Sequence, residues 1–134
     1  MDFIDFLKKL KPEDWEKPVT DKWSVKDVVA HLVGWEKESV RELKRIWGTD
    51  QVAWFVKDTN YKDFNDKTVA EFSHYSPNEL FGEWEKWQAE LDSLVEKIGE
   101  DKIRQAPDMD WVFDEGEDGH CLYHYKQIEN CLKS

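Results

Sequence analysis

Three histidines are the residues of this chain whose type and spacing could support chemistry. His31 lies in an apolar stretch, and His120 and His124 lie four residues apart near the C-terminus. On a helix this spacing places both imidazoles on one face, where they can share a ligand. A third imidazole from another helix would complete a three-nitrogen site with open positions for a water or a thiol. The histidines therefore predict a divalent metal site, with zinc or nickel as the ion.

The same histidines also fit a plainer interpretation. A histidine on an apolar face is often a hydrogen-bonded core residue, and a pair spaced four apart arises readily by chance. Asp27, one turn before His31, would either orient that imidazole or only serve the N-terminus of its helix. His74 is expected at the surface. From the residues alone, both interpretations of the histidines stay open.

The helices that must carry these residues follow from apolar spacing and from terminal signals. Serine is a preferred N-cap, proline favours the first turn, and glycine favours the residue after a helix. The pattern predicts helices over Met1–Leu10, from Ser24 to about Trp47, from about Lys67 to His74, from Ser76-Pro77 to Ile98, and from about Asp118 to Leu132. Residues 99–119 are predicted to form an acidic loop.

This order of helices predicts an all-α fold. Three long amphipathic helices and a shorter one would form an up-and-down four-helix bundle with a long crossover. A chain of 134 residues fits one domain with one core, so residues 1–134 are expected to be a single helical bundle domain.

Charge and composition exclude several classes of function. The net charge is −11, and no basic stripe is present that could neutralise phosphates. We therefore expect no binding to nucleic acid and none to an anionic membrane surface. Because neither a long apolar run nor an N-terminal signal segment is seen, we expect a cytoplasmic protein. Of the eight tryptophans, Trp35 and Trp54 are predicted to line an aromatic pocket and most others to pack in the core.

The two cysteines offer a separate hypothesis. Cys121 and Cys131 lie on the predicted last helix about 15 Å apart along its axis, too far for a disulfide. Cys121 lies beside His120 near a helix N-terminus, an environment that lowers the pKa of a thiol. Cys121 is therefore either a reactive thiol or simply a small buried residue.

Two motifs resemble those of a known family. The segment Trp23–Trp35 (WSVKDVVAHLVGW) and the segment Gly119–Ile128 (GHCLYHYKQI) are similar to the second-helix and last-helix signatures of the DinB/YfiT-like superfamily of four-helix bundles. The middle segment DFNDKTVAEFSHYSPNELFGEWEKW resembles the small DinB-like and ClbS-like members. Tyr125 departs from the pattern, since the family often has arginine after the last histidine.

The resemblance implies a bundle in which His31, His120 and His124 bind a divalent ion, most often zinc or nickel. Characterised relatives include transferases and isomerases that use a low-molecular-weight thiol such as mycothiol, bacillithiol or glutathione, and ClbS-like relatives open the ring of a reactive genotoxin. We therefore expect a thiol-dependent transferase or a hydrolase that detoxifies small electrophiles. Tyr123 or Tyr125 would donate a proton or pack in the core.

The resemblance also leaves an alternative without catalysis. Family members usually begin with a longer first helix, whereas about ten residues precede Pro12 here. This shortened first helix is expected to leave an apolar strip exposed, which a homodimer would cover. The alternative function is a non-catalytic helical dimer that binds a small molecule or a protein partner, with a structural or vestigial histidine cluster.

Overall fold

Helices form the fold of this protein. The structure, a computed structural model, describes the backbone of residues 3–113 and 120–133 and the side chains of residues 4–113 and 123–133. The helices are α1 (Phe3–Lys8), α2 (Val25–Ile46), α3 (Trp54–Lys57), α4 (Lys62–Glu71), α5 (Pro77–Ile98), α6 (Glu100–Gln105) and α7 (His120–Lys133), with 3₁₀ helices at Pro12–Glu16 and Asp110–Val112. The predicted all-α fold is confirmed. In the described ranges, each helix is too short or too polar to cross a membrane.

The N-terminus of α2 is fixed by a reciprocal pair of hydrogen bonds. Ser24 Oγ accepts from the backbone N–H of Asp27 at 3.2 Å, and Asp27 Oδ2 accepts from the backbone N–H of Ser24 at 3.0 Å. This capping box satisfies two of the donors that a helix start leaves open. Of the two roles considered for Asp27, the structure therefore shows the helix-terminal one.

Helix α2 is the centre of the fold. It packs against α4, α5 and α7 and against both 3₁₀ helices. Its first half shares one core cluster with the first half of α5, as Val25 and Leu80 illustrate. Its second half shares another cluster with the second half of α5, as Leu43 and Leu91 illustrate. The two long helices therefore run in the same direction, and residues 47–76 form the crossover between them.

The crossover returns along α2 through α4, and the two helices touch closely. A Cβ atom built on Gly34 of α2 would lie 1.7 Å from Cγ2 of Thr68 on α4. Thr68 is itself buried, at 3% exposure. Gly34 is thus required because it has no side chain at a point where Thr68 occupies the space.

The N-terminal helix is better covered than the sequence indicates. Leu7 of α1 is fully buried, and the Phe6 ring packs on Tyr125 of α7 with ring centroids 4.8 Å apart. Among the side chains that the structure describes, Tyr123 is the exposed large hydrophobic one, at 61%. The expected exposed apolar strip beside the first helix is therefore wrong for these residues, because α7 covers α1.

Three stretches differ from the predicted elements. Residues 100–105 form α6 where a loop is predicted, and the fully buried Ile103 holds this helix against the core. Helix α4 begins at Lys62 and ends at Glu71, earlier than predicted, and the short α3 is not predicted at all. These helices lack side-chain N-caps, and α3 and α6 are too short to show a helical period, so their sequences give little local signal.

Candidate metal and substrate site

The fold brings two of the three candidate histidines together. His31 of α2 and His124 of α7 lie with ring centroids 5.0 Å apart and with their planes at 79°. Both side chains are buried, at 5% and 7% exposure. Two imidazoles from helices distant in sequence therefore meet in a largely dry place.

His120 is the third candidate ligand, and its side chain lies outside the described residues. The structure places its backbone at the first residue of α7, one turn before His124. Among the side chains that are described, no group of three histidine, cysteine or acidic residues is close enough together to hold a metal. The side chain of Cys121 likewise lies outside the described residues, so neither alternative for that thiol is tested.

Gln127 fixes the orientation of His124. His124 Nδ1 lies 2.9 Å from Oε1 of Gln127, one turn further along α7. With Oε1 as the acceptor, Nδ1 carries the proton and the lone pair lies on Nε2. A hydrogen bond of this kind selects the tautomer of a metal-binding histidine. Gln127 was not predicted from the sequence, although its spacing of three from His124 is a usable signal.

Aromatic rings surround the two imidazoles. His31 lies between Trp23 and Trp35, with ring centroids 4.9 Å and 6.5 Å away. Tyr123 packs edge-on to His124 at 5.0 Å. Because such rings have apolar faces, they pack against the imidazoles and hold them in place.

The two histidines line a large open cavity. Its volume is about 1330 Å³, and His31, Trp35 and Ser39 mark its course along one face of α2. Eight residues of helix correspond to about 12 Å, so the cavity is long compared with a single side chain. Tyr123 and His124 of α7 also line it, and α1 and α5 contribute further walls. The cavity is large enough for a small-molecule substrate.

The two predicted pocket tryptophans have different positions. Trp35 lines the cavity, and its Nε1–H donates to Oδ1 of Asn65 at 2.7 Å. Trp54 stacks on Trp35 with ring centroids 5.9 Å apart and is not among the described lining residues. Trp54 therefore supports the wall rather than forming it. Asn65 gave no sequence signal, because its role depends on the contact between α4 and α2.

The two tyrosines of α7 also differ. Tyr123 lines the cavity and touches His124. Tyr125 points to the other side, where it packs on Phe6. Of the two roles considered for these residues, proton donation remains a hypothesis for Tyr123, and core packing is what the structure shows for Tyr125.

A buried carboxylate holds the crossover that carries Trp54. Glu42 is 1% exposed; its Oε1 accepts from the backbone N–H of Trp54 at 2.9 Å, and its Oε2 accepts from Arg45 Nε at 2.6 Å. The hydrogen bonds from Arg45 keep the pKa of Glu42 below its ordinary value of 4.5, although burial acts in the opposite direction. The same guanidinium reaches Gln51 Oε1 at 2.6 Å. The start of the crossover is thereby fastened to α2.

Comparison with known proteins supplies one match. Residues 1–127 match the model of a family described as the DinB superfamily. The matched range contains His31, His120 and His124. No curated protein and no solved structure matches the chain.

Proposed function

The chain belongs to the DinB superfamily, and on that premise we propose that it binds a zinc or nickel ion through His31, His120 and His124. We further propose that it acts on small electrophiles, as a thiol-dependent transferase or as a hydrolase. The observation that supports the proposal most is the pair of buried imidazoles from α2 and α7, 5.0 Å apart at the wall of a large cavity.

The chemistry of the donors fits a divalent ion of the zinc or nickel type. Neutral imidazoles are good ligands for both metals, and three of them leave open positions on the ion. The Gln127 contact gives His124 the tautomer that a ligand needs, with Nδ1 protonated. Glu36, on the same cavity wall as His31, brings a carboxylate near the site without belonging to the predicted ligand set.

The bound ion would supply Lewis acidity toward a water or a thiol. The residues of the chain supply the rest of the proposed chemistry. Trp35 and Leu32 form an apolar wall against which a substrate is held beside His31. Tyr123 lies at the histidine end of the cavity, where its O–H is the proposed proton donor to a leaving group.

Metal content tests the ligand set. Protein purified without a histidine tag is expected to carry about one equivalent of zinc or nickel, measured by elemental analysis. His124→Ala is expected to lose nearly all of it, because a ligand is removed. His74→Ala is the matched control, since His74 is exposed and lies between α4 and α5. Equal metal in the wild type and in a folded His124→Ala variant would refute the ligand set.

Thiol transfer tests the activity. We expect the wild type to accelerate the reaction of bacillithiol, mycothiol or glutathione with a model electrophile such as monobromobimane. Removal of the metal with a chelator is expected to reduce this rate at least tenfold, which corresponds to about 1.4 kcal/mol of transition-state stabilisation. A rate that chelation leaves unchanged would contradict metal-dependent catalysis. Stoichiometric metal with no turnover on any electrophile would favour the alternative of a non-catalytic binding protein.

A further inference from the structure

The two ends of the cavity differ chemically. One end contains His31 and His124, and the other begins next to them at Trp35, whose ring centroid lies 6.5 Å from that of His31. The second end, which we call the aromatic end, is formed by side chains from α2, the crossover and the segment after α6. Its rings are those of Trp35, Phe55, Tyr61, Trp111 and Phe113. The rings form a connected group, since Phe55 touches both Trp35 and Trp111, at 5.5 Å and 4.9 Å.

The described lining of the cavity is strongly acidic. It includes one amine, that of Lys8, and this amine is paired with Glu85 at 3.4 Å. The carboxylates are those of Asp5, Glu36, Glu85, Asp92 and Glu100. Glu100 is paired with Arg104, whereas Asp92 forms no ion pair with any residue that the structure describes. An excess of negative charge therefore remains along the walls.

Carboxylates and aromatic faces both favour one class of ligand. The electron-rich face of an aromatic ring attracts a cation, and the attraction grows as water is removed. Phe113 already shows this preference, because the Arg104 guanidinium carbon lies 3.9 Å from its ring centroid. A nearby carboxylate adds Coulomb attraction for a positive charge and repulsion for a negative one.

We infer that the aromatic end binds an organic cation: a protonated or quaternary amine carried on an apolar body. The apolar body lies against the rings, and the positive group lies near Asp92 and Glu36. The inference rests on the proposed function in one respect: it makes this cation part of the substrate of the histidine site. Because Trp35 lies beside His31, the positive group and the reacting atom belong to neighbouring parts of one molecule.

A series of three ligands with one skeleton tests the charge preference. The ligands are 4-phenylbutylamine, 4-phenylbutan-1-ol and 4-phenylbutyrate, which are positive, neutral and negative at pH 7. In calorimetric titrations of the purified protein at low salt, the amine is expected to bind about tenfold more tightly than the alcohol. The carboxylate is expected to bind more weakly than the alcohol. Equal affinities, a preference for the carboxylate or no binding of any ligand would overturn the inference.

Substitutions on α5 test where the amine binds. Asp92→Asn is expected to weaken binding of the amine about threefold and to leave the alcohol unchanged. Glu96→Gln removes a charge from an exposed position on the same helix that does not line the cavity. If Glu96→Gln weakened binding of the amine as much as Asp92→Asn does, the net charge of the protein would explain the effect and the proposed site would be refuted.

The histidine site and the aromatic end can be tested separately. In His124→Ala the amine is expected to keep its tenfold preference over the alcohol, because the aromatic end lacks that residue. Loss of metal in this variant would then concern the proposed function alone. Loss of the preference in a folded His124→Ala variant would show that the amine binds at the histidines and would overturn the inference.

Discussion

Replacing Gly34 with alanine is expected to lower the free energy of unfolding by about 3 kcal/mol, at the upper end of what overpacking costs. The new Cβ would lie 1.7 Å from Cγ2, 2.8 Å from Cβ and 2.9 Å from Oγ1 of Thr68. All three distances are too short, so α2 and α4 must separate. Urea unfolding followed by circular dichroism measures the change.

A control and a partner substitution make the Gly34 result specific. Gly82→Ala on α5 meets no atom within 4 Å and is expected to stabilise the protein by about 0.5–1 kcal/mol, as alanine does in a helix. Thr68→Ala in the Gly34→Ala background removes two of the three short contacts and is expected to restore part of the loss. Unchanged stability of Gly34→Ala would show that the two helices are not in close contact.

Replacing Glu42 with glutamine is expected to lower the free energy of unfolding by about 2 kcal/mol, because hydrogen bonds to a charged group are weakened at a buried position. The neutral amide weakens the bonds from Arg45 and from the backbone N–H of Trp54. Thermal and urea unfolding measure the effect. Glu71→Gln is the control, because Glu71 pairs with Lys37 at the surface and its loss is expected to cost under about 1 kcal/mol.

The effect of Glu42→Gln is expected to depend on pH. The pKa of Glu42 is lowered in the folded protein, so its carboxylate contributes stability above the ordinary value of 4.5. That contribution is lost as the pH falls through the lower folded pKa. The difference in stability between the wild type and Glu42→Gln should therefore be constant near pH 7 and shrink below about pH 4.5. A difference that grew in acid would contradict the assignment.

The sequence was sufficient where the local chemistry determines the structure. The serines at 24 and 76 both form the capping boxes that begin α2 and α5, and Gly99 ends α5 with a positive φ of 106°. Where tertiary contacts determine the structure, prediction was wrong. In α6 a single apolar residue, Ile103, is buried, and one such residue gives no periodic pattern.

The candidate site was predictable to a similar extent. The spacing of apolar residues predicted that His31 faces inward and that His124 lies at the edge of the apolar stripe of its helix, and the structure places them together. Asn65 and Glu36 could not be identified in this way. Asn65 acts through a contact across 30 residues of sequence, and Glu36 lies on the buried face of an otherwise charged stretch of α2.

The central position of α2 has a consequence for how the protein unfolds. Because α4, α5, α7 and both 3₁₀ helices pack on it, no other described helix reaches a comparable share of the two core clusters. Peripheral segments can detach one at a time, but α2 loses its hydrogen bonds only when both clusters separate. Its backbone amides should therefore exchange with deuterium through global unfolding, and α2 constitutes the slowest foldon of the chain.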